Sequence, residues 1–213
     1  AHCSWMVHAL YDRDNFRSGL CLFLYQFGKA SPKTIDAIDA WVVGPGGVNI
    51  SLLKDIARTN VPAVLDADAL PYQSWFRRSS KIICTPHPGE AARILGIKTA
   101  DIQSDRIAAL HALVKQTGKS VYLKGAPGLF LQPGEKIVLN YSLRPVLARA
   151  GSGDVLAGII GGMIVKSPGS FEQACLNAFI FQRRMAKILS EFPAAVASDQ
   201  LRFFSETWRS LRG

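Results

Sequence analysis

From Trp41 onward the chain alternates short apolar runs with stretches whose apolar positions recur every three or four residues. "AWVVG" (40–44), "PAVLDAD" (62–68), "KIICT" (81–85) and "SVYLKG" (120–125) are compact runs of the kind that fill a buried strand. Between them, "ISLLKDIART" (50–59) has helical spacing. "PGEAARIL" (88–95) opens on Pro88, whose missing N–H costs nothing in a first helical turn. Ser104 stands ahead of apolar positions Ile107, Leu110, Leu113 and Val114, which predicts a serine-capped helix with those four side chains on its buried face. "GLFLQ", "PGE" and "KIVLN" (128–140) read together as a hairpin. Beyond Gly153 the pattern is helical over 153–165, about 171–190 and about 198–210.

Strands alternating with helices predict an α/β fold, a mostly parallel sheet covered by helices on both faces. Ligands of such sheets gather at the carboxyl ends of the strands. The polar clusters fall there: 44–47, 66–68, 85–90 and 124–128. With 213 residues the economical expectation is one domain over 1–213.

Composition narrows the partners. A hydrophobic share of 48% against 19% charged residues belongs to a globular chain. A net charge of +9 favours anionic ligands, yet the basic residues are scattered, with only short pairs such as Arg77-Arg78 and Arg183-Arg184. Nucleic acid is therefore not expected as a partner. Cys3, Cys21, Cys84 and Cys175 form no CxxC pair, which suits reduced, buried thiols in a cytoplasmic protein and argues against a disulfide frame or zinc site. The longest uncharged apolar stretch, Val155 to Val165, is too short to span a bilayer, so no membrane partner is expected.

The chemistry sits in a few loops. In "ARAGSGDVLAG" (148–158), Gly151, Ser152 and Gly153 can turn successive amides one way, and the helix behind them adds its positive dipole end. Asp154 is then either a favourable first-turn charge or a carboxylate base beside a bound phosphate. "YLKGAPGLF" puts Lys124 at a strand end as a point charge for a polyphosphate, or as the solvated entry to a hairpin. "CTPHPGEAARIL" brings His87 and Glu90 to a strand-to-helix junction, facing the cleft above the sheet or simply opening the helix. Asp66 and Asp68 would share a face of an extended chain, where they could handle magnesium or a ribose hydroxyl, or stabilise a turn. His2, His8 and His111 have no acid or cysteine at metal-ligand spacing, and no protein metal site is expected.

The motifs "GPGGVN", "DADAL", "TPHPGEAARIL", "YLKGAPG" and "AGSGDVLAGIIGGM", in this order, resemble the ribokinase-like family of ADP/ATP-dependent NAD(P)H-hydrate dehydratases, from about Met6 onward. The resemblance implies a three-layer ribokinase-like fold and a metabolite-repair reaction. A hydroxyl on the hydrated nicotinamide ring (NAD(P)HX) is phosphorylated from ADP or ATP, with Mg2+ as counter-ion, and leaves as phosphate. It implies Asp154 as catalytic base and substrate contact, with Gly46 and His87 as further contacts to the hydrated dinucleotide. Lys124, Gly125, Ala126, Pro127 and Gly128 match the nucleotide loop, and Gly153 a residue at the adenine nucleotide, with Gly151 and Ser152 adding amides beside it. The family's habit further implies a homo-oligomer. It also implies a first strand and glycine-rich loop ahead of Ala1, hence a domain truncated at its N-terminus.

Several positions depart from that pattern. Gly47 and Val48 stand for a leucine and a glycine, Pro71 for an asparagine, Arg149 for a threonine and Gly128 for another threonine, and "SLRP" (142–145) replaces the run ahead of the anion loop. Leu143 and Arg144 could fill substrate space there. Two alternatives stay open: a non-catalytic adenine-nucleotide-binding module, and a kinase for a small alcohol such as a sugar or vitamin precursor.

Overall fold

The computed structural model describes residues 21–23, 38–141, 150–166, 169–192 and 199–211. Seven strands form one sheet in sequence order: β1 (Cys21–Phe23), β2 (Ala40–Val43), β3 (Ala63–Leu65), β4 (Ile82–Cys84), β5 (Ser120–Leu123), β6 (Gly128–Leu131) and β7 (Val138–Asn140). The strands from β1 to β5 run parallel, and β6 and β7 add an antiparallel hairpin at the edge.

Parallel strands that pair in chain order need crossovers, and right-handed crossovers all in one direction place every connecting helix on the same face. That face carries α1 (Ile50–Ala57), α2 (Pro88–Leu95), α3 (Thr99–Ser104) and α4 (Arg106–Thr117). The other is left for the chain after the hairpin: α5 (Ser152–Lys166), α6 (Phe171–Leu189), α7 (Asp199–Arg202) and α8 (Phe204–Arg209). The strands show the division residue by residue. Trp41, Val43, Leu65, Ile82, Val121 and Leu129 join the first core, while Val42, Val64, Ile83, Tyr122 and Phe130 between them join the second. The result is three layers, as expected. α5 packs on β2 and β3 with nearly its whole circumference buried, so its first turn is delivered to the carboxyl end of the sheet. Among the described residues no helix is long and apolar enough to cross a membrane.

Three local expectations are corrected. The helix expected to be capped by Ser104 is capped by Asp105, whose Oδ1 accepts from the Ala108 amide at 2.9 Å. Ser104 instead ends α3, its hydroxyl donating to the Asp101 carbonyl. Leu110, Leu113 and Val114 are buried as expected, but Ile107 is 53% exposed. After "PAVLD" the chain does not stay extended: Ala67 turns to φ 42° and a 3-10 segment runs over Ala67–Trp75, with Pro71 inside it. The last helix is broken at Phe203 (φ −94°, ψ 5°), whose ring packs against Phe192.

The shifted face of α4 is directly measurable. Leu110→Ala should cost about 2–5 kcal/mol in urea unfolding, as expected for a filled core site, whereas Ile107→Ala should stay within about 0.5 kcal/mol. Equal losses would put Ile107 on the buried face beside Leu110.

Candidate active site

The loops at the carboxyl end of the sheet meet around one ion pair. Asp66 ends β3, 1% exposed, and accepts from Lys124 Nζ at 2.7 Å and from the Thr85 hydroxyl at 2.9 Å. A carboxylate that deep in the fold persists only when its charge is compensated, and here a cation and a hydroxyl both meet its Oδ1. Lys124 also lies 3.6 Å from Glu90 Oε2, so one ammonium is shared by two acids from different loops. Its backbone amide donates to the Pro86 carbonyl at 2.8 Å, tying the strand end after β5 to the segment before α2.

The glycine-spaced loop completes the cluster. Gly151 takes φ 85°, Ser152 is buried, and α5 begins there. A methyl group built on Gly153 would sit 3.3 Å from Lys124 Nζ and 3.8 Å from Asp66 Oδ2, so the mouth of α5 lies directly over the ion pair. Asp154, half-buried in the first turn, has its carboxyl pushed above the usual carboxylate range, first by burial and then by the charge of Asp66, with Lys124 pulling the other way. A carboxylate raised in this manner is better suited to taking up a proton than one left in water. The Ser152 hydroxyl accepts from Gln200 Nε2 of α7 at 3.0 Å, and Gln200 Oε1 is buried without a hydrogen-bond partner among the described residues.

Not every expected residue stands as the sequence suggested. Asp66 and Asp68 do not share a face: the turn at Ala67 sends Asp68 to the surface and Asp66 inward. His87 does not simply face the cleft. It is the N-cap of α2, where Nδ1 accepts from the Gly89 and Glu90 amides at 3.0 and 3.2 Å. The ring's remaining proton is therefore on Nε2, 3.4 Å from Glu90 Oε1, and this edge stays accessible. Gly46 lies at the exposed tip of a turn closed by Gly47 N–H donating to Gly44 O. The base of that turn is pressed on Asp66: a side chain at Gly44 would fall onto the Asp66 carbonyl. Gly125 and Ala126 are exposed, Pro127 half-buried and Gly128 buried. Leu143, Arg144 and Arg149 lie outside the described residues.

Sequence reasoning passed over four groups. Thr85 and Gln200 hold Asp66 and Ser152 through contacts 19 and 48 residues apart, with no local signature. Arg106 reaches the 124–128 loop from below. Tyr122 is buried, its hydroxyl accepting from Asn140 Nδ2 at 2.9 Å and its pKa pushed up to about 12 chiefly by burial. A methyl group at Gly128 would lie 2.1 Å from that hydroxyl, which gives the missing threonine a cause: Tyr122 occupies its space.

No cluster of three or more histidine, cysteine, aspartate or glutamate side chains suited to a metal ion occurs among the described residues. The cluster can hold an anion at the mouth of α5 and accept a proton beside it. These are the requirements of phosphoryl transfer to a hydroxyl.

A family model described as NAD(P)H-hydrate dehydratase matches residues 16–205. The chain is similar to the ADP-dependent (S)-NAD(P)H-hydrate dehydratase of Neisseria meningitidis, 42% identical over 156 residues that cover 67% of this chain and 53% of that protein. It thus spans about half the length of that relative. Among solved structures it is similar to the ADP/ATP-dependent NAD(P)H-hydrate dehydratase of Bacillus subtilis co-crystallised with ATP/Mg2+. There the TM-score is 0.74 and the identity 26%, over 81% of this chain and 64% of that one. Arabidopsis thaliana ribokinase shares the fold alone, with TM-score 0.55 and 15% identity over 81% of this chain and 57% of that one.

The Tyr122–Gly128 fit generates a test. Gly128→Ala should destabilise the protein by about 1–3 kcal/mol, the usual cost of overpacking, in denaturant titrations. Adding Tyr122→Val, which removes the colliding ring, should recover part of that loss. Losses that merely add would mean the two side chains do not compete for one space.

Proposed function

Because the chain belongs to the NAD(P)H-hydrate dehydratase family, we propose that it uses an adenine nucleotide to dehydrate hydrated NAD(P)H. The observation that carries this reading is the convergence of four separate motifs on the Asp66–Lys124 pair, with the mouth of α5 and Asp154 above it. An N–H-rich helix mouth beside a proton acceptor with a raised pKa serves hydroxyl phosphorylation, and the residues present fit a nucleotide's phosphates.

ADP or ATP supplies the terminal phosphoryl group. The amides of Gly151, Ser152 and Gly153 hold its charge at the start of α5, and the loop from Lys124 to Gly128 binds the nucleotide from the side of β5 and β6. Gly46 and His87 face the hydrated dinucleotide. Asp154 takes the proton of the ring hydroxyl as its oxygen bonds to the terminal phosphorus and the bridging phosphorus–oxygen bond breaks, releasing AMP from ADP or ADP from ATP. The carbon–oxygen bond then breaks, phosphate departs with the bonding electrons, and the ring regains its double bond as the neighbouring carbon loses a proton to solvent. Magnesium arrives with the nucleotide as its counter-ion. The unbridged, buried thiols of Cys84 and Cys175 support a reducing, cytoplasmic setting.

Turnover of hydrated NADH with ADP or ATP and magnesium should restore reduced-nicotinamide absorbance, and Asp154→Asn should abolish it while leaving nucleotide-induced thermal stabilisation in place. Persistent turnover in that variant would remove Asp154 from its role. The same variant should melt at a higher temperature at neutral pH. A carboxyl whose pKa is raised by folding is bound to more protons in the folded state, so its ionisation opposes folding once the pH exceeds its unfolded pKa.

The pH dependence follows from the same causes. A base with a raised pKa loses activity as pH falls through that pKa, so the acid limb of kcat/KM should lie above the usual carboxylate range. Asp66→Asn removes a negative charge that raises Asp154 and frees Lys124 to lower it further. The acid limb should therefore move to lower pH; a limb that stays in place would separate Asp154 from the activity profile.

A further inference from the structure

Arg106 occupies an unfavourable position for a cation. It is the first residue of α4, where the helix dipole repels positive charge. Part of its guanidinium is buried, it makes no ion pair among the described residues, and its Nε has no hydrogen-bond partner. Burial pulls its pKa down accordingly. What the side chain does make is a focused set of bonds to one loop: Nη2 donates to the carbonyls of Leu123, Lys124 and Pro127 at 3.4, 3.2 and 3.0 Å, while Nη1 donates to Gln103 Oε1 at 2.8 Å.

Three carbonyls drawn to one point dictate where the amides go. In a trans peptide the C=O and the following N–H point in opposite directions. Turning the Leu123 carbonyl inward aims the Lys124 amide outward, where it meets the Pro86 carbonyl. Turning the Lys124 carbonyl inward aims the Gly125 amide outward, and this N–H has no hydrogen-bond partner among the described residues. Gly125 takes φ 146°, and a methyl group there would lie 2.6 Å from Arg106 Nη2, so loop and guanidinium are fitted at the closest backbone approach.

We propose that Arg106 is the positioning residue of the nucleotide loop, holding its carbonyls inward so that the Gly125 amide and the Lys124 ammonium are presented to the nucleotide. The inference rests on the reading of 124–128 as the nucleotide loop and adds a residue that never touches the ligand.

The test compares the parent chain with Arg106→Ala and Arg106→Lys, measuring ADP affinity by calorimetry and, in turnover, the KM of each substrate against kcat. Arg106→Ala should raise the ADP Kd and the nucleotide KM by about tenfold or more, with the KM of the hydrated dinucleotide and kcat at saturating nucleotide changed less than about twofold. Arg106→Lys should recover little, because its ammonium ends one bond short of the Nη2 position from which the three carbonyls are reached and leaves no second nitrogen for Gln103. Guanidinium ion at roughly 20 mM, far below denaturing levels, should restore ADP affinity to Arg106→Ala and leave the parent unchanged. Unchanged ADP affinity in a folded variant would overturn the proposal, as would equal losses for both substrates with no rescue. If Arg106→Ala fails to fold, Arg106→Lys, with its fold verified by near-UV dichroism, decides between the same outcomes. A parent chain that binds ADP without turnover would overturn the dehydratase reading alone, leaving the affinity and rescue measurements to decide the role of Arg106. A parent with no ADP affinity would overturn both.

Discussion

The contact between Asp66 and Lys124 holds the cleft together. Each residue comes from the carboxyl end of a different strand, and the pair is too deeply placed to be exchanged for water. Around it, the turn at Gly44 rests on the Asp66 carbonyl, Glu90 shares the ammonium, and Gly153 closes over both. Five segments that would otherwise be independent thus share one electrostatic centre. Removing Lys124 leaves the Asp66 carboxylate buried without its cation, a loss far larger than that of a surface ion pair.

The sheet makes this meeting possible without a reversal of strand order. In many open α/β sheets the ligand crevice lies where successive crossovers part to opposite faces. Here β2 to β5 pair in chain order, and their connecting helices stay on one face. The cleft is closed instead by α5, which belongs to the opposite layer and begins at the same carboxyl ends of the strands. Its buried circumference keeps that approach rigid. Asp154 is therefore held at a place where its charge is disfavoured by burial and by Asp66. The arrangement opposes stability at the position proposed for proton uptake, a conflict common at catalytic carboxylates.

Much of this was legible in the chain. Strands such as "AWVVG" and "KIICT" announced themselves because a buried parallel strand has no polar face to confuse the pattern. The helix starts at Pro88 and Gly153 were equally plain. The errors came where one residue of register decides the outcome. Asp105 displaced Ser104 as the cap because Ser104 was already used at the end of α3. Asp66 and Asp68 were separated by a single positive φ at Ala67, which no propensity foretells for alanine. Within the site, Lys124, Gly153 and Asp154 carried local signals, whereas Thr85 and Gln200 act through long-range contacts that a linear reading does not contain.

Departures from a family pattern carry information of their own once their neighbours are known. Gly128 in place of threonine looks, along the sequence, like a lost contact. In the fold it belongs to a pair: the Tyr122 ring stacks on Phe179 at 4.3 Å and sends its hydroxyl to Asn140 across the space that a side chain at 128 would fill. The hairpin therefore exchanges a small polar group at the loop for an aromatic anchor to α6. Arg106 completes the same logic from the opposite side of the sheet, its guanidinium gathering the carbonyls of the loop that Tyr122 supports from beneath α6. A loop clamped from both layers needs no threonine to fix its shape, and the Gly125 amide is left without a hydrogen-bond partner among the described residues.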